Sequence, residues 1–201
     1  MNKTYRLAQF LSYTYLRCFH RFEVNGTENV PQKGGFILAC NHLSYIDPPA
    51  VGCKIPRNLH YFARDSLFFW PLGFLISNLN SIPVNRKQLD LGTLRRVLLV
   101  LKNGKPVLLF PEGTRSPDGT LQKSQKGLGL LVHKSGVPVL PARLHGSFEI
   151  LGKGKMVPRI GKKLYLNIGE LLPSSKFSFV LDDGSRYQKI SDMVMREIQK
   201  L

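Results

Sequence analysis

Acidic residues are scarce in this chain. Its 201 residues include 13 Asp and Glu against 29 Lys and Arg, which gives a formal net charge of +16 at pH 7. This imbalance argues against a cationic partner and predicts an anionic one. Nucleic acid, an anionic membrane surface and an acidic carrier protein all meet that description.

Cysteines are also few, and they follow no recognisable pattern. Cys18, Cys40 and Cys53 are odd in number, lack the spacing of metal ligands, and include one residue inside an apolar run. A disulfide framework and a cysteine metal site are therefore excluded. We expect reduced thiols in a cytosolic compartment.

Long hydrophobic runs and several familiar motifs are missing as well. No stretch approaches the roughly 18 apolar residues that a membrane-spanning helix needs. The apolar residues near the N-terminus are interrupted by Gln9, Ser12, Thr14 and Arg17, so we expect neither a signal peptide nor a spanning segment. No G-x-S-x-G elbow or GxxxxGK phosphate loop occurs, and no metal site is visible.

The apolar residues that are present predict one domain of the α/β class. They make up 43% of the chain, enough for a core without disulfides. Apolar strands alternate with helical patterns, as in the leucines of residues 91–101 followed by the strand 106–110. We expect a mixed, largely parallel central sheet flanked by helices, with an N-terminal amphipathic helix at residues 1–22 and the main domain at 23–201.

A polar turn follows the first apolar strand, residues 36–40. Residues 41–47 read NHLSYID, so His42 and Asp47 lie five positions apart where the strand ends. An imidazole oriented by a carboxylate is a general base. Asp47 before two prolines also fits a helix N-cap, with His42 as an ordinary turn residue.

A second polar turn follows another apolar strand. Residues 110–116 read FPEGTRS, so Glu112 and Arg115 come directly after the strand. The carboxyl ends of parallel strands share one edge of a sheet, and we therefore expect this turn to meet His42. Gly113 lets the backbone approach a ligand, Thr114 offers a hydroxyl, and Arg115 offers a fork for phosphate oxygens. We expect Glu112 to hold Arg115 or a substrate hydroxyl.

These two turns, with an IPVNR element at residues 82–86 and a proline-centred strand at 137–141, resemble the glycerolipid acyltransferases that include the lysophosphatidate (1-acylglycerol-3-phosphate) acyltransferases. The resemblance covers about residues 23–147. It implies that a fatty acyl group moves from a thioester to the sn-2 hydroxyl of the acceptor, giving phosphatidate for phospholipid synthesis. It also implies His42 as the base, oriented by Asp47, with no bound cofactor and acyl-CoA or acyl-carrier protein as co-substrate.

The same resemblance assigns a lysophospholipid acceptor and the residues that hold its phosphate. Arg86 and Arg115 are the principal candidates, with Arg64 and Lys126 beside them. Other acceptors remain open, including other lysolipids and glycerol 3-phosphate. A non-catalytic basic membrane-binding protein is the alternative from a different class. No nucleic-acid module is evident, so we expect no nucleic-acid partner.

Two regions predict contact with an anionic membrane. The helix predicted at residues 3–22 mixes aromatic and cationic side chains, which suits a headgroup interface, although it could instead simply cover the core. An acid-free basic run at residues 153–163 is either a solvated hairpin or a second membrane or carrier contact. We expect a peripheral, monotopic protein on the cytoplasmic face.

The apolar segment at residues 66–79 has two interpretations. It is either a core helix or a segment that lines an acyl-chain groove or dips into lipid, with Phe68, Phe69 and Trp70 among its residues. Pro71 and Gly73 predict a break in it. The strand at residues 137–143 contains Pro138 and Pro141, which favours an edge or bulged strand. We expect Pro138 to have either an acyl-chain role or a structural role.

Overall fold

The computed structural model describes residues 3–84, 91–180 and 183–201 and confirms the predicted α/β domain. Within these ranges the helices are α1 (Lys3–Phe19), α2 (Asp47–Gly52), α3 (Leu72–Asn78), α4 (Leu91–Lys102), α5 (Lys126–Ser135), α6 (Ser147–Leu151), α7 (Ser175–Ser178) and α8 (Arg186–Lys200). The strands are β1 (Arg21–Asn25), β2 (Ile37–Cys40), β3 (His60–Arg64), β4 (Ser81–Val84), β5 (Val107–Leu109), β6 (Val139–His145) and β7 (Lys163–Ile168). Short 3₁₀ turns lie at Thr27–Asn29 and Asp65–Leu67.

The strands form one seven-stranded mixed sheet in the order β1-β7-β6-β2-β5-β3-β4. All neighbouring pairs are parallel except β6 and β7, which are antiparallel. Strands β2, β5 and β6 therefore end at the same edge of the sheet. Because β7 runs the other way, β7 and its parallel neighbour β1 begin at that edge, which we call the active edge.

Two hydrophobic clusters cover the two faces of the sheet. In β2, Leu38 and Cys40 face the cluster that includes Leu16 of α1 and Val51 of α2. The alternate residues Ile37 and Ala39 face the cluster formed with α4, α5 and α8. All four side chains are fully buried, as expected for a central strand covered on both faces.

The helices follow their apolar periodicity. On α8, Ile190, Val194 and Ile198 are buried at spacings of four residues, so one stripe packs on the sheet while the charged face stays in water. On α4 the buried stripe is Val97 and Leu101, and Leu91 is exposed. Of the leucines whose spacing predicts this helix, Leu101 is buried, Leu94 and Leu98 are partly buried, and Leu91 faces solvent.

The interpretation of residues 66–79 as one core helix is wrong. The chain forms a 3₁₀ turn at Asp65–Leu67 and then the separate helix α3, with Pro71 at its N-cap. The break falls at Pro71, as predicted, whereas Gly73 lies inside α3. Large side chains here face solvent, since Trp70 is 86% and Phe74 is 74% exposed.

The prediction of an edge or bulged position for the proline-containing strand is also wrong. β6 lies in the interior of the sheet, between β7 and β2. The Pro141 carbonyl faces the β7 side, where it accepts from the Gly169 N–H at 2.9 Å. N and C=O of one strand residue point the same way, so the missing N–H of Pro141 faces the position just beyond Ile168, where the β7 ladder ends. Only the bond at the very end of the β6–β7 pairing is therefore missing, so proline is tolerated in this interior strand.

Helix α1 ends at Phe19, earlier than the predicted boundary, because Arg21 and Phe22 pair with Lys163 and Leu164 of β7. Its inner face is fastened to the domain. The Leu59 N–H donates to the Tyr5 hydroxyl at 3.0 Å, and the Gln9 amide donates to the Gly52 and Ile55 carbonyls. Its outer face exposes Leu7, Phe10 and Leu11. The helix therefore both covers the core and presents an apolar surface.

Candidate active site

Asp47 is the centre of the turn that follows β2. It is the first residue of α2 and is fully buried. Its Oδ2 accepts hydrogen bonds from the backbone N–H groups of Leu43 and Ser44 at 2.6 and 2.7 Å, and lies 2.8 Å from His42 Nδ1. Three contacts on one oxygen hold the carboxylate in place. A simple N-cap role for Asp47 would not explain the contact with His42.

The same contact fixes the protonation pattern of His42. A carboxylate only accepts hydrogen bonds, so Nδ1 carries the proton and donates to Asp47. Nε2 is then the basic nitrogen, and it has no hydrogen-bond partner among the described residues. The imidazole stacks on Phe110, with ring centroids 4.0 Å apart and planes 13° apart. His42 is thus oriented both by a hydrogen bond and by an aromatic contact.

The two turns meet at the active edge, as the strand order requires. The backbone N–H of His42 donates to Glu112 Oε2 at 2.6 Å, and the N–H of Ser116 donates to the His42 carbonyl at 2.8 Å. Residues about 70 positions apart therefore form one rigid unit. The contact between the two turns, predicted from the sequence, is present in the structure.

Glu112 has a different partner from the one expected. Its side chain accepts from the backbone N–H groups of His42 and Gln122, and no hydrogen bond to Arg115 is formed among the residues that the structure describes. Burial raises the pKa of the Glu112 carboxyl to about 7, and the nearby Asp47 charge adds to the rise. Glu112 therefore links the two turns, and the expectation that it holds Arg115 is wrong.

Asn41 and Ser44 attach the catalytic turn to its neighbours. The Asn41 amide exchanges two hydrogen bonds with the backbone of Leu144, at 2.9 and 2.7 Å, and so continues the pairing of β2 with β6 beyond the strand. The buried Ser44 hydroxyl donates to the Leu151 carbonyl at 2.6 Å. Ser44 is therefore a structural residue of the turn and has no free hydroxyl for nucleophilic attack.

A largely apolar cavity of about 610 Å³ opens beside His42. Residues of α1 form part of its wall, together with the sheet and the segment that carries α3. Its lining includes Tyr5, Tyr61, Leu67, Ile76, Phe110 and Arg115. The hydroxyls of Tyr5 and Tyr61 lie 2.7 Å apart and join α1 to β3 at this wall. Its volume and lining suit an extended apolar ligand whose reactive end meets His42.

Arg115 brings positive charge to the mouth of this cavity. Its guanidinium carbon lies 3.4 Å from the centre of the Tyr45 ring, within the catalytic turn. Its Nη1 is buried and has no hydrogen-bond partner among the described residues. Arg64, at the end of β3, lines the same cavity. Both arginines therefore line the cavity that opens beside His42.

Other predicted site residues lie elsewhere. Gly113 and Thr114 are exposed beside Arg115, and the φ of +70° at Gly113 is one that favours glycine. Lys126 is the exposed first residue of α5 and does not line the cavity. Pro138 precedes β6 at the opposite edge, where its carbonyl accepts from the Ile37 N–H. The structural role, not the acyl-chain role, therefore fits Pro138. Arg86 lies outside the described residues.

The aromatic residues predicted for the acyl-chain groove do not line the cavity. Phe68 is partly buried, and Phe69 and Trp70 are exposed. The cavity instead takes Leu67, Ile76 and Leu79 from the same segment. The segment thus contributes to the cavity wall through residues other than the predicted aromatic ones.

Several residues of the site carry no motif signal. Tyr5 lies in the N-terminal helix, and its contact with Tyr61 spans 56 positions, which no local pattern predicts. The stacking of Phe110 on His42 and of Arg115 on Tyr45 also depends on the meeting of the two turns. Aromatic residues placed directly beside catalytic candidates were the available signal. No group of three or more potential metal ligands occurs within residues 3–84, 91–180 and 183–201.

Comparison with known proteins identifies the family to which this site is similar. The acyltransferase family model matches residues 21–145, which contain both turns. The 1-acyl-sn-glycerol-3-phosphate acyltransferase of Bacillus subtilis (strain 168) is 31% identical over 160 residues, covering 77% of this chain and 79% of that protein. The chloroplastic 1-acyl-sn-glycerol-3-phosphate acyltransferase BAT2 of Brassica napus is 30% identical over 76% of this chain, which spans 43% of the plant protein.

A solved structure agrees with the fold. The crystal structure of the 1-acyl-sn-glycerophosphate (LPA) acyltransferase PlsC from Thermotoga maritima superposes with a TM-score of 0.80 at 29% sequence identity. The match covers 98% of this chain and 78% of that chain. The matched residues include the hydrogen-bonded His42 and Asp47 and the turn that meets them, and the chain belongs to the acyltransferase family.

Proposed function

We propose that this chain is a 1-acyl-sn-glycerol-3-phosphate acyltransferase, which moves a fatty acyl group from a thioester to the free sn-2 hydroxyl and yields phosphatidate for phospholipid synthesis. The observation that carries the chemistry is the 2.8 Å contact between His42 Nδ1 and Asp47, which leaves Nε2 facing a cavity without a partner in the described chain. Relatives named for this reaction supply the substrate class.

The reaction needs no covalent acyl-enzyme. His42 Nε2 takes the proton of the acceptor hydroxyl as its oxygen attacks the thioester carbonyl carbon, and Asp47 stabilises the imidazolium. The tetrahedral intermediate then expels the thiolate as the carbon–sulfur bond breaks. The imidazolium returns its proton to the thiolate, so the base is regenerated. The buried, engaged Ser44 hydroxyl supports direct transfer.

Arg115 and Arg64 are proposed to hold the acceptor phosphate. A planar guanidinium binds two phosphate oxygens at once, and the Nη1 of Arg115 is buried without a partner among the described residues. Stacking on Tyr45 holds Arg115 against the turn that carries the base. We keep Arg86 as a further candidate from the sequence, and we assign Lys126 no contact with the bound acceptor.

The cavity is proposed to hold acyl chain. Its walls from α1, β3 and α3 are largely apolar, and it begins at His42. The donor is a thioester of coenzyme A or of acyl-carrier protein, which the net charge of +16 attracts in either form.

We also propose a peripheral position at an anionic membrane on the cytoplasmic side. None of the described helices combines the length and hydropathy needed to cross a bilayer. Residues 1–22 would serve as the membrane-associating segment and residues 23–201 as the catalytic domain. The exposed Leu7, Phe10 and Leu11 of α1 support this assignment.

One assay tests the proposal. Purified protein is given lysophosphatidate, lysophosphatidylglycerol or glycerol 3-phosphate with each donor type, and products are identified by mass. We expect phosphatidate from lysophosphatidate and none with His42→Ala, which keeps its fold by circular dichroism. The matched control is His133→Ala, an exposed histidine on α5. Turnover retained in His42→Ala contradicts the base assignment, and a preference for another acceptor contradicts the substrate.

A further inference from the structure

The basic loop, residues 152–162 between α6 and β7, combines basic and apolar residues. It contains Lys153, Lys155, Arg159 and Lys162, and no acidic residue occurs from 150 to 169. Among these cations it displays three apolar side chains with little cover. Met156 is 94%, Val157 is 76% and Ile160 is 65% exposed.

The basic loop is held in an ordered shape. The Arg159 N–H donates to the Ile150 carbonyl at 2.9 Å and closes the base of the loop. The Gly161 N–H donates to the Phe19 carbonyl at 2.8 Å, which joins the loop to the end of α1. These two hydrogen bonds fix the base of the loop next to the exposed Phe19, and the exposed Met156 and Val157 lie in the segment between Ile150 and Arg159.

The sheet topology places this loop at the active edge. It leads into β7, whose Tyr165 pairs antiparallel with His145 near the end of β6. The loop therefore lies where β2 and β6 end and the catalytic turn begins. Ser44 of that turn forms a bridge with Gly152 and donates to the Leu151 carbonyl.

We propose that the basic loop is a second membrane contact, which binds anionic phospholipid headgroups through its cations and inserts Met156, Val157 and Ile160 into the interface. Charge complementarity and the interspersed apolar side chains both favour a lipid surface. The basic loop and the outer face of α1 then form one contact that turns the active edge toward the bilayer. The inference extends the membrane position in the proposed function to a new segment.

An acidic carrier protein is the other anionic partner considered for this region. An acidic carrier would bind the cations and would not need the apolar side chains. Met156, Val157 and Ile160 would gain the most free energy by moving from water into lipid. The same side chains would remain largely hydrated if the loop were only a solvated hairpin. The lipid surface is therefore the occupant that the loop composition favours.

The test is flotation of the purified chain with vesicles of equal parts phosphatidylcholine and phosphatidylglycerol, without substrate. The triple variant Met156→Ser, Val157→Ser, Ile160→Ser is expected to lower partitioning roughly tenfold with all charges intact. Phe179→Ser is the matched control, since Phe179 is 86% exposed and follows Leu172, which bridges Val139 at the opposite edge. It is expected to change nothing.

A second readout reports insertion directly. Ile160→Trp in a Trp70→Phe background is expected to be quenched by brominated phospholipids in the vesicles, and Phe179→Trp in the same background is not. Unchanged flotation of the triple variant, or equal quenching at both positions, overturns the proposal. Unchanged flotation with a raised KM for an acyl-carrier-protein donor assigns the loop to the carrier instead. Because the vesicle readouts use no substrate, they stay valid even if the proposed reaction is wrong.

Discussion

The catalytic turn and the segment that carries α3 both border the same cavity, but they are built in opposite ways. In the turn, residues 41–47, Asn41 and Asp47 are buried and engaged in two or more hydrogen bonds. The segment 65–79 instead exposes Phe69, Trp70 and Phe74. Positioning a proton transfer requires fixed polar groups, whereas contact with a lipid requires an accessible apolar surface.

The largest expected effect comes from removing the charge in the fixed turn. Asp47→Asn no longer enforces the proton on Nδ1 of His42, and we expect turnover to fall about 10³- to 10⁴-fold. Steady-state kinetics with the thermal midpoint of unfolding measures both effects. The control is Asp192→Asn, a carboxylate that accepts from Ser124 and Gln188 away from the cavity. A comparable loss in both variants would mean that the Asp47 effect is general destabilisation.

The next effect concerns the pH dependence of stability. Burial raises the pKa of Glu112 to about 7, above its ordinary value of 4.5, so the folded state favours the neutral carboxyl. The contribution of the neutral carboxyl to the free energy of unfolding is fully present below about pH 4.5 and is lost as the pH rises to about 7. The difference between the two pKa values corresponds to about 3 kcal/mol. Glu112→Gln should remove this decline in urea unfolding series. An unchanged slope would assign the decline to other groups.

A smaller effect is expected from the phosphate contact. Arg115→Ala should raise the KM for lysophosphatidate roughly 10- to 100-fold, because a charged hydrogen bond contributes about 1.5 to 3 kcal/mol. The KM for the acyl donor should change little. Arg115→Lys should recover part of the loss, and Arg196→Ala, on the exposed face of α8, is the control. Equal effects on both KM values would argue against a phosphate contact.

The smallest effect should come from the exposed segment. Trp70→Ser with Phe74→Ser should leave the free energy of unfolding within about 0.5 kcal/mol, because both side chains are exposed. Turnover of vesicle-bound lysophosphatidate should fall a few-fold, and turnover of detergent-dispersed substrate should not. Leu99→Ser, on the exposed face of α4, is the control. A large loss of stability would show that the segment is part of the core.

The sequence predicts most of the fold because its signals are local. Apolar runs such as residues 36–40 and the stripe of α8 depend only on nearby residues, and both match the structure. The errors arise where distant pairing decides the outcome. Arg21 joins a strand because Lys163 lies beside it, and Pro141 fits an interior strand because β7 ends there.

The site follows the same division. The contact between His42 and Asp47 lies within one turn. The meeting of that turn with the second turn follows from the direction of the parallel strands. The Tyr5 contact with Tyr61 and the place of Lys126 outside the cavity depend on packing between distant elements. The catalytic and binding roles of these residues stay predictions until variants are assayed.

The Phe110 ring has one further consequence. Because it lies parallel to the imidazole with ring centroids 4.0 Å apart, it covers one face of the ring and leaves the Nε2 lone pair, which lies in the ring plane, open toward the cavity. A lipid that fills the cavity displaces the water that would otherwise use that approach. With the ring covered by Phe110 on one face and lipid in the cavity, the proposed base would meet an alcohol rather than water, which would spare the thioester from hydrolysis.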